Sequence, residues 1–94
     1  MAYAVEWEAE AEQDLSRLPP LLASHVLDQV DLLVQDPVRL SRPSRFPYRP
    51  AQAYSFAHQY EGVTYYVTVL FSYRSDERTI VLDRIGCMPA PPRT

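Results

Sequence analysis

The chain has 94 residues and a formal net charge of −3, and 47% of its residues are hydrophobic. This length suits one domain near the lower limit for a stable core, and the apolar content is too high for a disordered chain. No apolar run approaches the ~18–20 residues of a membrane span, and no secretory signal pattern is visible at the N-terminus. We therefore expect a single cytoplasmic domain over residues 1–94.

Cysteine and histidine usage limits the chemistry further. The sequence contains one cysteine, Cys87, and two histidines, His25 and His58. One cysteine excludes an internal disulfide, and so few dispersed ligands argue against a structural zinc site. We expect neither a metal nor another cofactor.

Charge is divided unevenly along the chain. Residues 1–36 contain eight acidic residues and one arginine, whereas residues 37–94 contain four acidic residues and eight arginines. Two interpretations of this division stay open. The charged residues form ordinary solvated faces, or the arginines form a basic surface for an anionic partner. The overall acidity argues against a strong nucleic-acid binder.

A strand and a helical hairpin are predicted first. Tyr3, Val5 and Trp7 alternate with less apolar residues, which indicates a half-buried strand. A helix is predicted over residues 8–18 and ends at Pro19-Pro20, since proline disfavours helix at the preceding residue. Residues 20–35 then predict a second helix with one apolar face. The short connection predicts antiparallel packing of the two helices.

Residues 37–52 contain four prolines and four arginines. We predict an ordered loop here, held against the core by Phe46 and Tyr48.

From Ala53 onward the pattern has a period of two, which predicts three strands. The first places Tyr54, Phe56, His58 and Tyr60 on one face, and Glu61-Gly62 marks a hairpin turn. The second runs from Val63, a turn follows at residues 75–78, and the third ends at Gly86. On this pattern Ile80, Leu82 and Arg84 share one face of the last strand. Residues 87–94 are predicted to be a flexible tail. The predicted fold is α+β: an N-terminal strand and a two-helix hairpin packed on an antiparallel sheet, in the order β-α-α-β-β-β.

Four short motifs occur in a defined order. They are A-x-x-D-L-x-x-L-P at residues 11–19, L-x-x-D-P at 33–37, the hairpin glycine Gly62, and I-G at 85–86. In this order the chain resembles the RelE/ParE superfamily of type II toxin–antitoxin toxins over residues 3–86. The resemblance implies a toxin neutralised by a cognate antitoxin and associated with plasmid stabilisation. Its implied target is the ribosome, through mRNA cleavage, or DNA gyrase.

The resemblance also implies where catalytic residues should lie. Relatives that cleave mRNA carry Lys or Arg on the second and third strands, an Arg after I-G, and often a Tyr beyond it. Such groups activate the RNA 2′-hydroxyl, neutralise the phosphate and protonate the leaving oxygen. The corresponding positions here are occupied by Ser55 and Ala57, by residues 64–66, and by Cys87 and Met88. The remaining candidate catalytic residues are His58, Tyr66, Arg74 and Arg84.

Each candidate also has a structural interpretation. His58 is either an acid–base group or a side chain packed among Tyr54, Phe56 and Tyr60. Tyr66 faces either solvent or a partner. The arginines Arg74 and Arg84 either bind phosphate or pair with acidic residues near them in sequence, namely Asp76, Glu77 and Asp83.

Four arginines in the predicted loop, Arg39, Arg42, Arg45 and Arg49, are candidates for binding an antitoxin or RNA. Alternatively, these arginines cap the loop by pairing with Asp36. Two functions therefore stay open. One is a toxin, which would be an enzyme only if it acts as a ribosome-dependent endoribonuclease. The other is an inactive interaction domain that binds an antitoxin-like partner without toxicity.

Overall fold

The structure, a computed structural model, describes residues 2–46, 49–74 and 78–90, with no side-chain description at residues 45, 46, 49 and 50. The helices in this part of the chain are α1 (Ala9–Ser16), α2 (Pro20–Leu33) and α3 (Pro37–Leu40). The strands are β1 (Ala4–Trp7), β2 (Arg42–Phe46), β3 (Arg49–Tyr60), β4 (Val63–Tyr73) and β5 (Thr79–Pro89).

The five strands form one sheet in the order β1-β5-β4-β3-β2. The last four strands along the chain pair antiparallel with their neighbours, whereas β1 pairs parallel to β5. The predicted α+β fold is confirmed, with a mixed sheet in place of a purely antiparallel one. Parallel pairing is possible because the helices and the other strands separate β1 from β5 in sequence, and parallel strands need a long connection.

The predicted helical hairpin is present, with the first helix three residues and the second two residues shorter than predicted. The first helix ends at Ser16, and the Leu18 N–H donates to Leu15 O in a tighter turn. Pro19 and Pro20 lie at the start of the second helix, where a missing N–H costs no intrahelical bond.

Residues 37–52 are not the predicted loop. They contain α3, all of β2 and the beginning of β3. Prolines concealed these elements: Pro37 occupies the first turn of α3, and Pro43 lies in β2, which is an edge strand. Proline is tolerated at both kinds of position. The predicted role of Phe46 and Tyr48 in holding this segment stays a prediction, because it falls outside the described side chains.

A bulge in β5 changes the predicted faces of that strand. Leu70 pairs with Arg84, whereas its neighbour Phe71 pairs with Leu82, so Asp83 is an extra residue. As a result Ile85, and not Arg84, follows Leu82 into the core. The prediction that Arg84 shares a face with Leu82 is therefore wrong, because strict alternation cannot anticipate a bulge.

The last strand also runs further than predicted. It continues past Gly86 to Pro89, with Cys87 paired to Val67 and Met88 paired to Tyr66. The predicted tail therefore begins after β5, and residues 91–94 lie outside the described part of the chain.

The core lies between one face of α2 and the inner face of the sheet. Val26, Val30 and Leu33 of the helix share one buried cluster with Val67 and Val69 of β4, as predicted. The other fully or nearly fully buried members are Ala11, Leu22, Phe71, Ile80, Leu82 and Ile85. Burial of this apolar surface is the main favourable term for the fold.

We predict that Val30→Asp destabilises the domain by at least about 3 kcal/mol, because it buries a carboxylate without a partner. Val30 is 3% exposed. Leu21→Asp is the matched control, since Leu21 is 70% exposed on the same helix and should tolerate the change. If Val30→Asp prevents folding, Val30→Ala should still fold with a loss of about 2 kcal/mol. Equal denaturant midpoints for the Val30 variants and the wild type would contradict the packing.

Candidate functional site

The sheet has one side that the helices do not cover, which we call the open face. Side chains alternate along each strand, so residues between the buried positions of β4 lie on this side. Three adjacent cross-strand rows form one part of the open face: Gln59 and Thr64; Ala57, Tyr66 and Met88; and Ser55, Thr68 and Gly86. The next row on this side contains Arg42, Ala53, Leu70 and Arg84.

The open face is uncharged in these three rows. Tyr66 and Met88 are its most exposed large side chains, at 51% and 64%. Beside them, the Ser55 and Thr68 hydroxyls share a hydrogen bond of 3.0 Å. Of the positions at which the resemblance implies cationic groups, Ser55, Ala57, Thr64, Tyr66 and Met88 share this side of the sheet, whereas Tyr65 and Cys87 lie on the core side.

His58 lies on the other side of the sheet from Tyr66. Its ring stacks on that of His25 in α2, with centroids 3.8 Å apart and planes 19° apart. His25 also meets Phe56 edge-on at 5.6 Å. Burial lowers the pKa of His25, and the nearby His58 lowers it further, while Asp28 acts in the opposite direction. The structure therefore does not bring His58 and Tyr66 together as an acid–base pair.

Arg84 is bound to α1. Its guanidinium donates from Nε and Nη2 to the Asp14 carboxylate at 2.9 and 3.2 Å, and Nη1 lies 3.7 Å from Glu10. The Ile85 N–H also donates to Asp14, at 2.9 Å. The hydrogen bond from Arg84 is the main cause that holds the Asp14 pKa below its usual value, and the Ile85 N–H adds to it. The Arg84 guanidinium is thus hydrogen-bonded and ion-paired within the protein.

Arg74 binds at the opposite end of the sheet. Its Nε donates to Glu6 of β1 at 2.8 Å. The sequence pointed to Asp76 and Glu77 as partners, but these residues lie outside the described part of the chain. Arg74 and Arg84 instead use acidic residues about 70 positions away, which proximity in sequence cannot reveal.

The arginine segment, which comprises Arg39, Arg42, Arg45 and Arg49, lies at the β2 end of the sheet. Arg39 Nε donates to Asp36 at 2.8 Å, which matches the capping alternative for this one arginine. That hydrogen bond also lowers the Asp36 pKa. Arg42 is exposed in the edge strand. The side chains of the other two arginines are outside the description, so their predicted role stays a prediction.

Neither a nucleophile nor a metal centre is evident in the described residues. Burial raises the pKa of the Cys87 thiol, which disfavours the reactive thiolate. No group of three or more potential ligands among His, Cys, Asp and Glu is placed to hold a metal in the described part of the chain. No helix there is long and apolar enough to span a membrane.

Sequence reasoning missed two residues that organise this region. Asp14 was noted only as part of a motif, and its function as an acceptor for Ile85 and Arg84 depends on tertiary contact. His25 was not singled out, although it lies beside the apolar face of α2. Its spacing from Leu22 and Val26 was the available signal that it faces the sheet.

The fold closely matches solved toxin structures. The toxin–antitoxin complex RelBE2 from Mycobacterium tuberculosis contains a chain with a TM-score of 0.70 and 22% identity, and the match covers 90% of this chain and 96% of that one. The E. coli toxin RelE, as a double arginine-to-alanine mutant in the free state, gives a TM-score of 0.63 at 10% identity, over 92% of this chain and 83% of that one.

A third match comes from the intact E. coli RelBE toxin–antitoxin complex, with a TM-score of 0.63 and 10% identity, over 90% of this chain and 95% of that one. No protein-family model matches the sequence, and no curated protein matches it significantly. The chain therefore has the fold of the RelE toxin superfamily, as the sequence motifs predicted.

We predict that Asp14→Asn destabilises the domain by about 2 kcal/mol at pH 7, because it weakens charge-assisted hydrogen bonds to a side chain that is 10% exposed. The Asp14 pKa is lowered by folding, so its stabilisation is complete above the ordinary value of 3.8 and is lost as the pH falls through the folded value. The difference between wild type and variant should therefore shrink below about pH 4. Glu10→Gln, at an exposed and more distant carboxylate, should change stability by less than about 0.5 kcal/mol. A difference that stays constant down to pH 2 in urea titrations would contradict this assignment.

Proposed function

We propose that the chain is the toxin-fold component of a type II toxin–antitoxin pair, that it acts in the cytoplasm, and that a small protein antitoxin binds it. Support comes from the near-complete coverage of both chains in the match to RelBE2, whose structure is a toxin–antitoxin complex. Because the match covers nearly the whole domain, a chance similarity of one supersecondary motif does not explain the structural likeness.

The proposed mode of action is inhibition by binding, and not cleavage of mRNA. The observation that carries this choice is the uncharged character of three adjacent rows of the open face, where the positions expected to bind a scissile phosphate hold Ser55, Ala57, Tyr66 and Met88. In the next row, the Arg84 guanidinium is hydrogen-bonded to Asp14. Phosphate cleavage requires charge stabilisation of the transition state, and removal of one such donor from an active site typically costs 10²–10³ in rate. DNA gyrase is the target in the ParE mode, which needs no catalytic residues.

A second candidate is the inactive interaction domain. The same three uncharged rows favour it, because they fit a domain that has kept its partner and lost its target. Induced expression in bacteria separates the two candidates: the toxin arrests growth when its partner is absent, and the inactive domain does not. Tyr66→Ser tests the open face in that assay, with Leu21→Ser as a control at another exposed apolar position.

We predict that the wild-type protein leaves mRNA intact in a translation extract that contains active ribosomes. Primer extension on a defined message measures cleavage, and an active RelE-type toxin is the positive control. Strong cleavage by the wild type would overturn the binding mode. Cleavage that persists in a His58→Ala, Arg84→Ala double variant would also exclude these residues from catalysis.

The proposed antitoxin contact uses the arginine segment and the edge of β2. An edge strand offers unpaired backbone groups to an extended segment, and arginines bind carboxylates in a bidentate manner. Pro43 lacks an N–H, so it limits how far such pairing can extend along β2. We therefore propose an acidic antitoxin segment held mainly by side-chain contacts on this edge.

We predict that the chain and the product of an adjacent small gene co-elute in size-exclusion chromatography at low salt. Salt and charge reversal should both weaken the complex, because exposed ion pairs are screened. Arg42→Glu and an Arg45→Glu, Arg49→Glu variant test the segment, and Arg78→Glu is the control at an exposed arginine outside it. Failure of the wild-type pair to co-elute would contradict the antitoxin proposal. Equal loss in the Arg78 control would contradict the assignment to this segment.

A further inference from the structure

The contact between α2 and β3 consists largely of polar and aromatic side chains, which we call the histidine seam. It comprises His25 and Gln29 of the helix with Tyr54, Phe56 and His58 of the strand. Tyr54 donates its hydroxyl hydrogen to Gln29 Oε1 at 2.5 Å. The two imidazole rings are stacked next to this hydrogen bond, 3.8 Å apart.

The histidine seam is distinct from the buried core beneath the helix. Leu22, Val26 and Val30 of α2 belong to the cluster that includes β4 and β5, where the sheet is covered by apolar side chains. On β3, by contrast, Phe56 and His58 are only half-buried. The two histidines therefore lie where water has access and where the helix-to-sheet contact contains the fewest fully buried groups.

Protonation changes the sign of the interaction across the seam. Two neutral imidazoles can stack with favourable dispersion, and a single added proton still leaves one neutral ring as a partner. A second proton places two positive charges about 4 Å apart, which opposes further uptake while the rings remain stacked. The second proton therefore binds more easily once the rings separate.

The charged and titratable groups around the seam do not cancel this repulsion. Asp28 on α2 favours protonation of His25, yet burial and His58 outweigh it, so the pKa of His25 is lowered. From the sheet, Tyr54 lies beside the pair and Tyr65 is the cross-strand partner of His58. Tyr65 in turn contacts Tyr60. Burial raises the pKa of Tyr54 above its ordinary value of 10, so this side chain is neutral near pH 6.

We propose that the His25–His58 pair is a pH-sensitive latch, which holds the His25 and Gln29 side of α2 against β3 near neutral pH and releases this contact under mild acid. Release separates the stacked rings and exposes Phe56, while the core contacts of the helix with β4 and β5 remain. The proposed release is local. Trp7 lies in β1, which pairs with β5, and β4 separates these two strands from β3 in the sheet.

The direction of the pH effect follows from linkage. The folded-state pKa of His25 is below its ordinary value of 6.5, so the closed state binds fewer protons than the open one. The contribution of the latch to stability is therefore complete above about pH 6.5 and declines as the pH falls below it. The opening equilibrium increases up to about tenfold per pH unit for each excess proton bound by the open state.

The test uses the fact that the chain has two histidines and one tryptophan. Two-dimensional NMR of the imidazole C–H groups between pH 7.5 and 4.5 should show a midpoint for His25 below its ordinary value of 6.5. Over the same range, amide exchange at residues 21–29 and 54–58, corrected for its intrinsic pH dependence, should rise at least about tenfold. Trp7 fluorescence should stay constant, which distinguishes local release from global unfolding.

Three variants make the proposal specific. His58→Gln and His25→Gln each remove the second charge and should abolish most of the pH-dependent rise in exchange. Asp28→Asn alters an exposed side chain, so it should fold, and it should enlarge the rise because protonated His25 loses its nearest carboxylate in the closed state. Titration of His25 at its ordinary value of 6.5 with unchanged exchange would overturn the proposal. An equal rise in the wild type and both glutamine variants would also overturn it.

Discussion

The structure depends on a carboxylate that joins its first helix to its last strand. Asp14 accepts hydrogen bonds from the Ile85 N–H and from the Arg84 guanidinium. The Glu8 N–H donates to Leu82 O, which is the last backbone hydrogen bond between the N-terminal segment and β5. Beyond Leu82, the Asp14 carboxylate accepts the hydrogen bond that a neighbouring strand would otherwise accept. It satisfies a backbone donor beside the bulge, where an unpaired group would otherwise be costly. The hairpin is thereby fixed over the sheet, and the apolar face of α2 is directed at β4.

This contact also explains why the short motifs indicated the fold correctly. The motif that contains Ala11 and Asp14 meets the I-G motif at Ile85, so two patterns distant in sequence describe one junction. Periodicity identified the helical hairpin and the faces of β3 and β4, because burial imposes periods of 3.6 and 2. It failed at β2 and α3, where prolines imitate a loop, and at Asp83, where an extra residue shifts the phase.

The candidate site was less accessible to sequence analysis than the fold. Residue type suggested His58, Tyr66, Arg74 and Arg84, yet the structure distributes them over both sides of the sheet and both of its ends. Two of them have carboxylate partners from β1 and α1, which only tertiary structure brings near. The sequence did show that positions 55 and 57 lack basic residues. The strand register places Ser55 and Ala57 on one continuous surface of the sheet.

The parallel pairing of β1 with β5 has a consequence for biosynthesis. Residues 4–7 have no sheet partner until residues 79–82 are made, so most of the chain must leave the ribosome before the sheet can close. Until then the hairpin displays the apolar face of α2, whose partners in β4 and β5 also come late. Contacts of such long sequence separation slow folding and prolong the exposure of apolar surface. A nascent chain of this kind presents apolar surface to which another protein can bind before the domain is complete.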